Sequence, residues 1–115
     1  MDKLVNKIVA LGVPGLVLLI VISTTGYVGA VAITATLALL GGPFGMLGGL
    51  AALGFMVLIA NGISKFGFER IFIAVVKNLY DKGESIESIR DKIKKYPLSK
   101  ELKATLLATL EKYRK

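Results

Sequence analysis

The sequence contains no cysteine and no histidine. Disulfides, thiolate chemistry and the usual zinc and haem sites are therefore excluded. A phosphate-cradling glycine loop followed by lysine is missing as well, and the carboxylates lie at spacings typical of ion pairs on solvated helix faces. The sequence thus predicts a chain that is not an enzyme and that binds neither a cofactor nor a metal.

Charge is missing from a large part of the chain. Residues 8–64 carry no charged side chain, although the whole chain has a net charge of +7. A small domain in water needs polar residues at a helical or strand period, because much of its surface stays exposed. This run has almost none, and it is long enough for two membrane spans of about 20 residues each. The sequence therefore predicts an integral membrane protein; a very hydrophobic protein core is the alternative.

Helix-breaking residues divide the uncharged run in two. Residues 41–43 (Gly-Gly-Pro) form the strongest break, and Pro14 suits the first turn of a helix. As helices, residues 14–40 and 43–64 would be about 40 and 33 Å long, enough to cross a hydrocarbon core of about 30 Å. The predicted fold class is an all-α membrane protein: a transmembrane helical hairpin, an amphipathic helix and a small cytoplasmic helix pair.

Three regions follow from these breaks. They are a short amphipathic helix at residues 1–12, the hairpin at 13–64 with its tip at 41–45, and a basic cytoplasmic helical region at 65–115. The second span is predicted to continue without a stop into the amphipathic helix, which ends at Gly83. Ser85 and Ser99 are then predicted to cap the two last helices.

The basic residues predict the orientation of the hairpin. Lys3 and Lys7 precede the first span, and Lys65 and Arg70 follow the second. Because basic flanks prefer the cytoplasmic side, two spans place both termini in the cytoplasm, at an inner or plasma membrane. A break at residues 23–26 would give three spans and send one basic cluster across the bilayer. The hairpin is favoured for this reason, and three spans remain an alternative.

Small residues recur at every fourth position along both predicted spans. Such stripes let helix backbones approach closely in lipid. They either close the hairpin of one subunit or pack hairpins into a homo-oligomer, and the number of glycines favours the oligomer. The predicted helix-packing and oligomerisation residues are Gly26, Ala30, Thr34, Ala38, Gly45, Gly48, Gly49 and Ala52.

A few polar side chains lie within the predicted spans. Ser23, Thr24 and Asn61 are expected at a similar depth in the hairpin. They are candidates to line a pore mouth, although hydrogen bonding between helices is the more ordinary role and is favoured here. The lack of any charge within the spans disfavours a proton-coupled transporter or a voltage sensor.

The carboxy-terminal region is basic. From Lys65 onward, 13 basic residues face 7 acidic ones. This surplus predicts contact with a bilayer that has anionic headgroups. A nucleic-acid partner is disfavoured, because acidic residues alternate with the basic ones and no aromatic stacking platform is present. The predicted headgroup-binding residues are Lys65, Arg70, Lys92, Lys94 and Lys95.

The outline of a short basic start, two spans and a charged tail is similar to that of two-span phage holins. The likeness concerns topology and rests on no specific motif. Together with the small-residue stripes, it predicts a small homo-oligomeric protein that forms pores or permeabilises membranes, as a holin, toxin or effector does. The alternative function is a membrane adaptor or anchor whose carboxy-terminal helices bind a partner protein.

Overall fold

The computed structural model describes residues 1–24, 36 and 49–113, without the side chains of residues 49–53. Within these residues there are six helices and no strand, so the predicted all-helical class is confirmed. The helices are α1 (Asp2–Ala10), α2 (Val13–Ser23), α3 (Gly49–Phe66), α4 (Phe68–Asp81), α5 (Ile86–Lys95) and α6 (Lys100–Lys112).

Helix α2 lies at the centre of the described helices and contacts each of the other five. The side chains of residues 13 and 16–21 are apolar and buried, so the helix is apolar on every face rather than along one stripe. A helix of this kind is stable only inside a protein core or in lipid. Here the surrounding helices of the same chain form that apolar environment.

Helix α1 covers α2 with one face. Leu4, Val5, Ile8 and Val9 are buried, whereas the polar residues on the other face are exposed. The chain then turns into α2 at Gly12, whose φ of +72° favours glycine. The start of α2 passes close to the end of α1: a Cβ on Gly15 would collide with the carbonyl oxygen of Ile8.

Helices α3 and α4 are separated by a single residue. The sequence predicted one continuous helix through this region, and that prediction is wrong. Gly67 has a φ of +88°, which lies outside the helical region, so α3 ends at Phe66 and α4 begins at Phe68. Gly67 therefore allows α4 to change direction, so that its apolar face packs against α1 and α2.

The last two helices pack against each other and against α2. The Ser85 hydroxyl accepts a hydrogen bond from the Ser88 backbone N–H at 3.1 Å, and the Ser99 hydroxyl accepts one from the Leu102 N–H at 3.1 Å. Both predicted N-caps are thus confirmed. The buried face of the pair consists of Ile89, Ile93, Leu102, Leu106 and Leu110.

The predicted integral-membrane localisation, with both termini cytoplasmic, is contradicted. Among the described residues, no helix is both long enough and apolar enough to cross a bilayer. Helix α2 has 11 residues, about 16 Å, against a hydrocarbon core of about 30 Å. The predicted first span continued to residue 40, but α2 ends at Ser23. The predicted hairpin tip at 41–45 lies outside the described residues.

Candidate functional site

The predicted helix-packing residues are only partly covered by the structure. Gly49 and Ala52 lie in the first turns of α3, without a described side-chain environment. The other members of the set lie outside the described residues, and their role stays a prediction: Gly26, Ala30, Thr34, Ala38, Gly45 and Gly48.

The predicted pore-lining residues lie on two helices. The Ser23 hydroxyl donates to the carbonyl oxygen of Ile20 at 2.7 Å, and the Thr24 hydroxyl donates to the same oxygen at 3.0 Å. Both hydroxyls therefore bond back to their own helix, as serine and threonine often do. Asn61 is exposed on α3. A pore-lining role for these three residues stays a prediction.

The predicted headgroup-binding residues differ in how far they are engaged within the protein. Lys92 contacts both carboxylate oxygens of Glu84 at 2.8 Å. The Lys65 ammonium lies 5.2 Å from the centroid of the Phe66 ring, a cation–π distance. Arg70, Lys94 and Lys95 are exposed. Lys94 and Lys95 end α5, so the turn between α5 and α6 presents positive charge to the surroundings.

Three aromatic rings join α4 to the end of α6. The ring centroids of Phe68 and Phe72 are 5.4 Å apart, and those of Phe72 and Tyr113 are 5.3 Å apart. The Phe68 and Tyr113 centroids complete the cluster at 6.1 Å. Tilted ring pairs at these distances are favourable. The cluster therefore holds the carboxy-terminal end of α6 in place against α4.

A groove of about 560 Å³ lies beside this cluster, along α4 and between the start of α5 and the end of α6. We call it the α4 groove. Its apolar lining residues are Phe72, Ile73, Val76, Tyr80, Ile86 and Tyr113. Its polar lining residues are Lys77, Glu84, Ser85 and Glu87. The groove could not be predicted from the sequence, because residues 68–81 have the pattern of a single amphipathic helix and the exposed Ile73 and Tyr80 interrupt it only locally.

Tyr96 directly follows the last residue of α5, and its side chain is partly buried against the core. Burial raises its pKa above the ordinary value of 10.0; Lys92 opposes this shift, and Glu84 adds to it. The phenol is therefore neutral at physiological pH. Within the described part of the chain, no cluster of three or more acidic side chains could hold a metal ion.

Comparisons with known proteins give no relative from which a role could be carried over. No protein-family model, curated protein or solved structure matches the chain. The features that bear on function are therefore the enclosed helix α2, the charge distribution and the α4 groove.

Proposed function

We propose that this chain permeabilises anionic membranes, which it approaches as a helical protein rather than residing in them as an integral membrane protein. The observation that carries this proposal is the complete enclosure of α2. Its apolar residues 16–21 are completely buried, and α1 and α4, which pack against it, are amphipathic. On contact with a membrane, α2 would separate from the other helices and insert its apolar side chains into the outer leaflet of the bilayer.

The energetics of burial support such an exchange. Each of Leu16, Leu18 and Ile20 is completely buried, and burying a side chain of this size stabilises by about 1.5–3 kcal/mol. Hydrocarbon provides a similar environment, so moving α2 from protein to lipid keeps most of this stabilisation. The amphipathic helices α1 and α4, once separated from α2, would be stable in the membrane interface, where such helices lie with their apolar face in the lipid.

Glycine at the helix junctions supports a rearrangement of whole helices. Gly12 joins α1 to α2 and Gly67 joins α3 to α4, both with positive φ. Hinge motions concentrate in a few residues at the ends of such elements. Rotation at Gly12 would separate α1 from α2 without unfolding either helix.

Electrostatics support the choice of an anionic membrane. The chain has a net charge of +7, and Lys94, Lys95 and Lys100 are exposed around the turn between α5 and α6. A lysine near an anionic surface contributes about 1 kcal/mol of attraction. The turn is thus the first point of contact in the proposed mechanism.

The length of α2 defines the depth that it can reach. At about 16 Å it matches one leaflet of a core about 30 Å thick. Permeabilisation would then arise from several copies that crowd one leaflet, in line with the homo-oligomer that the small-residue stripes predict.

Release of a trapped dye from vesicles tests this function. We expect release from vesicles containing phosphatidylserine and little release from phosphatidylcholine alone. A disulfide lock provides the matched control. In the double variant L4C/G62C, a disulfide would join α1 to α3, because a Cβ on Gly62 lies 3.5 Å from Leu4 Cγ, the position that the sulfur of a cysteine at residue 4 would take. No other cysteine is present to interfere.

The disulfide in L4C/G62C should abolish dye release, and its reduction should restore dye release. The single variant L4C, which cannot form the bond, should release dye under both conditions. Equal release by the oxidised and reduced double variant would contradict the proposal. Binding to anionic vesicles without release by the unmodified chain would also contradict it and would favour a membrane adaptor.

A further inference from the structure

We infer that α1 is an autoinhibitory helix, and that the contact between Leu4 and Gly62 determines how readily it separates from α2. Because α1 would regulate the exposure of α2, this role rests on the proposed function. Helix α1 packs against α2, α3 and α4. Its separation from them would therefore uncover part of α2.

Leu4 occupies the space that a side chain at position 62 would need. Both residues are buried, and a Cβ built on Gly62 would collide with Leu4 Cδ2. The same Cβ would lie 3.6 Å from Ile71 Cδ1, so residues of α1, α3 and α4 meet at this point. We call the contact between Leu4 and Gly62 the α1 latch. It depends on the lack of a side chain at Gly62, which lets Leu4 approach the α3 backbone closely.

Apolar contacts hold α1 in place. Its charged side chains, Asp2, Lys3 and Lys7, are exposed and belong to neither ion pair of the described residues. By contrast, Arg90 and Glu111 pair α5 with α6, and the aromatic cluster joins α6 to α4. A bilayer can replace apolar contacts but not ion pairs. Helix α1 is therefore the helix that a membrane detaches at the lowest cost.

Gly12 gives α1 room to rotate away from α2. Apart from its two chain neighbours, only Pro14 Cδ among the described atoms lies within 4 Å of a Cβ built on Gly12. Once detached, α1 would present Leu4 and its other buried residues to the bilayer, and Lys3 and Lys7 to anionic headgroups. An anionic membrane thus binds the open form better than the closed form, which is the differential affinity that a population shift requires.

Dye release from phosphatidylserine vesicles tests the α1 latch in the full chain. Gly62→Val fills the space of the Leu4 side chain and should displace α1. We expect it to raise the initial rate of release at least about fivefold, because overpacking of a buried contact shifts an equilibrium by such a factor. Gly54→Val is the matched control on the same helix, since nothing lies within 4 Å of a Cβ at Gly54. It should leave the rate unchanged.

Hydrogen exchange of the α1 amides measures the same opening without vesicles. A detached helix of nine residues frays, so opening of α1 speeds this exchange. Gly62→Val and Leu4→Ala should each speed it at least about fivefold, the first by displacing Leu4 and the second by removing its contact. The double variant L4A/G62V conserves side-chain volume and should return the exchange to the unmodified rate. Exchange in α5 and α6 should not change in any of the three variants.

Three results would overturn the inference. The first is equal dye release by Gly62→Val and Gly54→Val; the second is exchange that rises equally in α1, α5 and α6, which would be a global loss of stability. The third is additive effects of the two substitutions in L4A/G62V, because Leu4 and Gly62 would then form no latch. Absence of dye release by the unmodified chain and by Gly62→Val would contradict the proposed function, and the exchange rates would still decide whether the latch holds α1.

Discussion

The centre of the molecule and its carboxy-terminal helix pair are built in different ways. Helix α2 is apolar all round, has no side-chain N-cap and depends on the five helices around it. Helices α5 and α6 each have a serine N-cap, and ion pairs link Arg90 to Glu111 and Lys92 to Glu84. Local signals in the sequence therefore define the carboxy-terminal pair, whereas α2 is defined only by its surroundings.

We expect the largest loss in the free energy of unfolding from a substitution that leaves a cavity in α2. Leu18 and Leu106 are both completely buried, the first in α2 and the second in α6. Leu→Ala in a core costs about 2–5 kcal/mol, and the cost is greatest where the surroundings cannot relax. We expect Leu18→Ala to lie in the upper part of this range and Leu106→Ala in the lower part, in guanidinium unfolding. A cost below about 1 kcal/mol for Leu18→Ala would contradict the enclosure of α2.

A pair of glycine substitutions tests the junction between α1 and α2. In Gly15→Ala the new Cβ would collide with the Ile8 carbonyl oxygen and lie 3.0 Å from the Leu11 Cβ. We expect a loss of about 1–3 kcal/mol, typical of overpacking. Gly54→Ala is the control: nothing lies within 4 Å of its new Cβ, so removal of a helix-interior glycine should stabilise by about 0.5–1 kcal/mol. Equal effects of the two substitutions would show that α1 does not pack closely on α2.

The smallest expected effect concerns pH and the carboxy-terminal pair. Because burial raises the pKa of Tyr96 above 10.0, the neutral phenol stabilises the folded state. This contribution is fully present below the unfolded pKa and is lost as the pH rises through the folded pKa. The urea midpoint of the unmodified chain should therefore fall more steeply above pH 10 than that of Tyr96→Phe. Parallel curves for the two proteins would contradict a buried phenol.

The carboxy-terminal pair could be predicted from the sequence because its signals are local. Ser85 and Ser99 cap their helices as predicted, and the apolar spacing of Ile89 and Ile93 gives the buried face of α5. A serine hydroxyl needs only the backbone three residues ahead of it. Such contacts do not depend on the rest of the fold.

The surroundings of α2 could not be predicted in this way. A helix that is apolar on every face is equally stable in lipid and in a protein core, and hydropathy does not distinguish the two. The α4 groove could not be predicted for a related reason: whether Ile73 and Tyr80 are covered depends on the neighbours of α4. The break at Gly67 depends on tertiary packing as well, because a glycine can also continue a helix at a modest cost.

A photoreactive leucine at position 18 tests most directly whether α2 is enclosed by the chain itself. On illumination without vesicles, the diazirine group of this leucine should cross-link to one or more of the five helices around α2, and mass spectrometry would map the linked residues. With phosphatidylserine vesicles, lipid adducts should appear, and with phosphatidylcholine vesicles they should not. Lipid adducts of equal yield with both kinds of vesicle, with no cross-link inside the chain, would contradict the enclosure of α2.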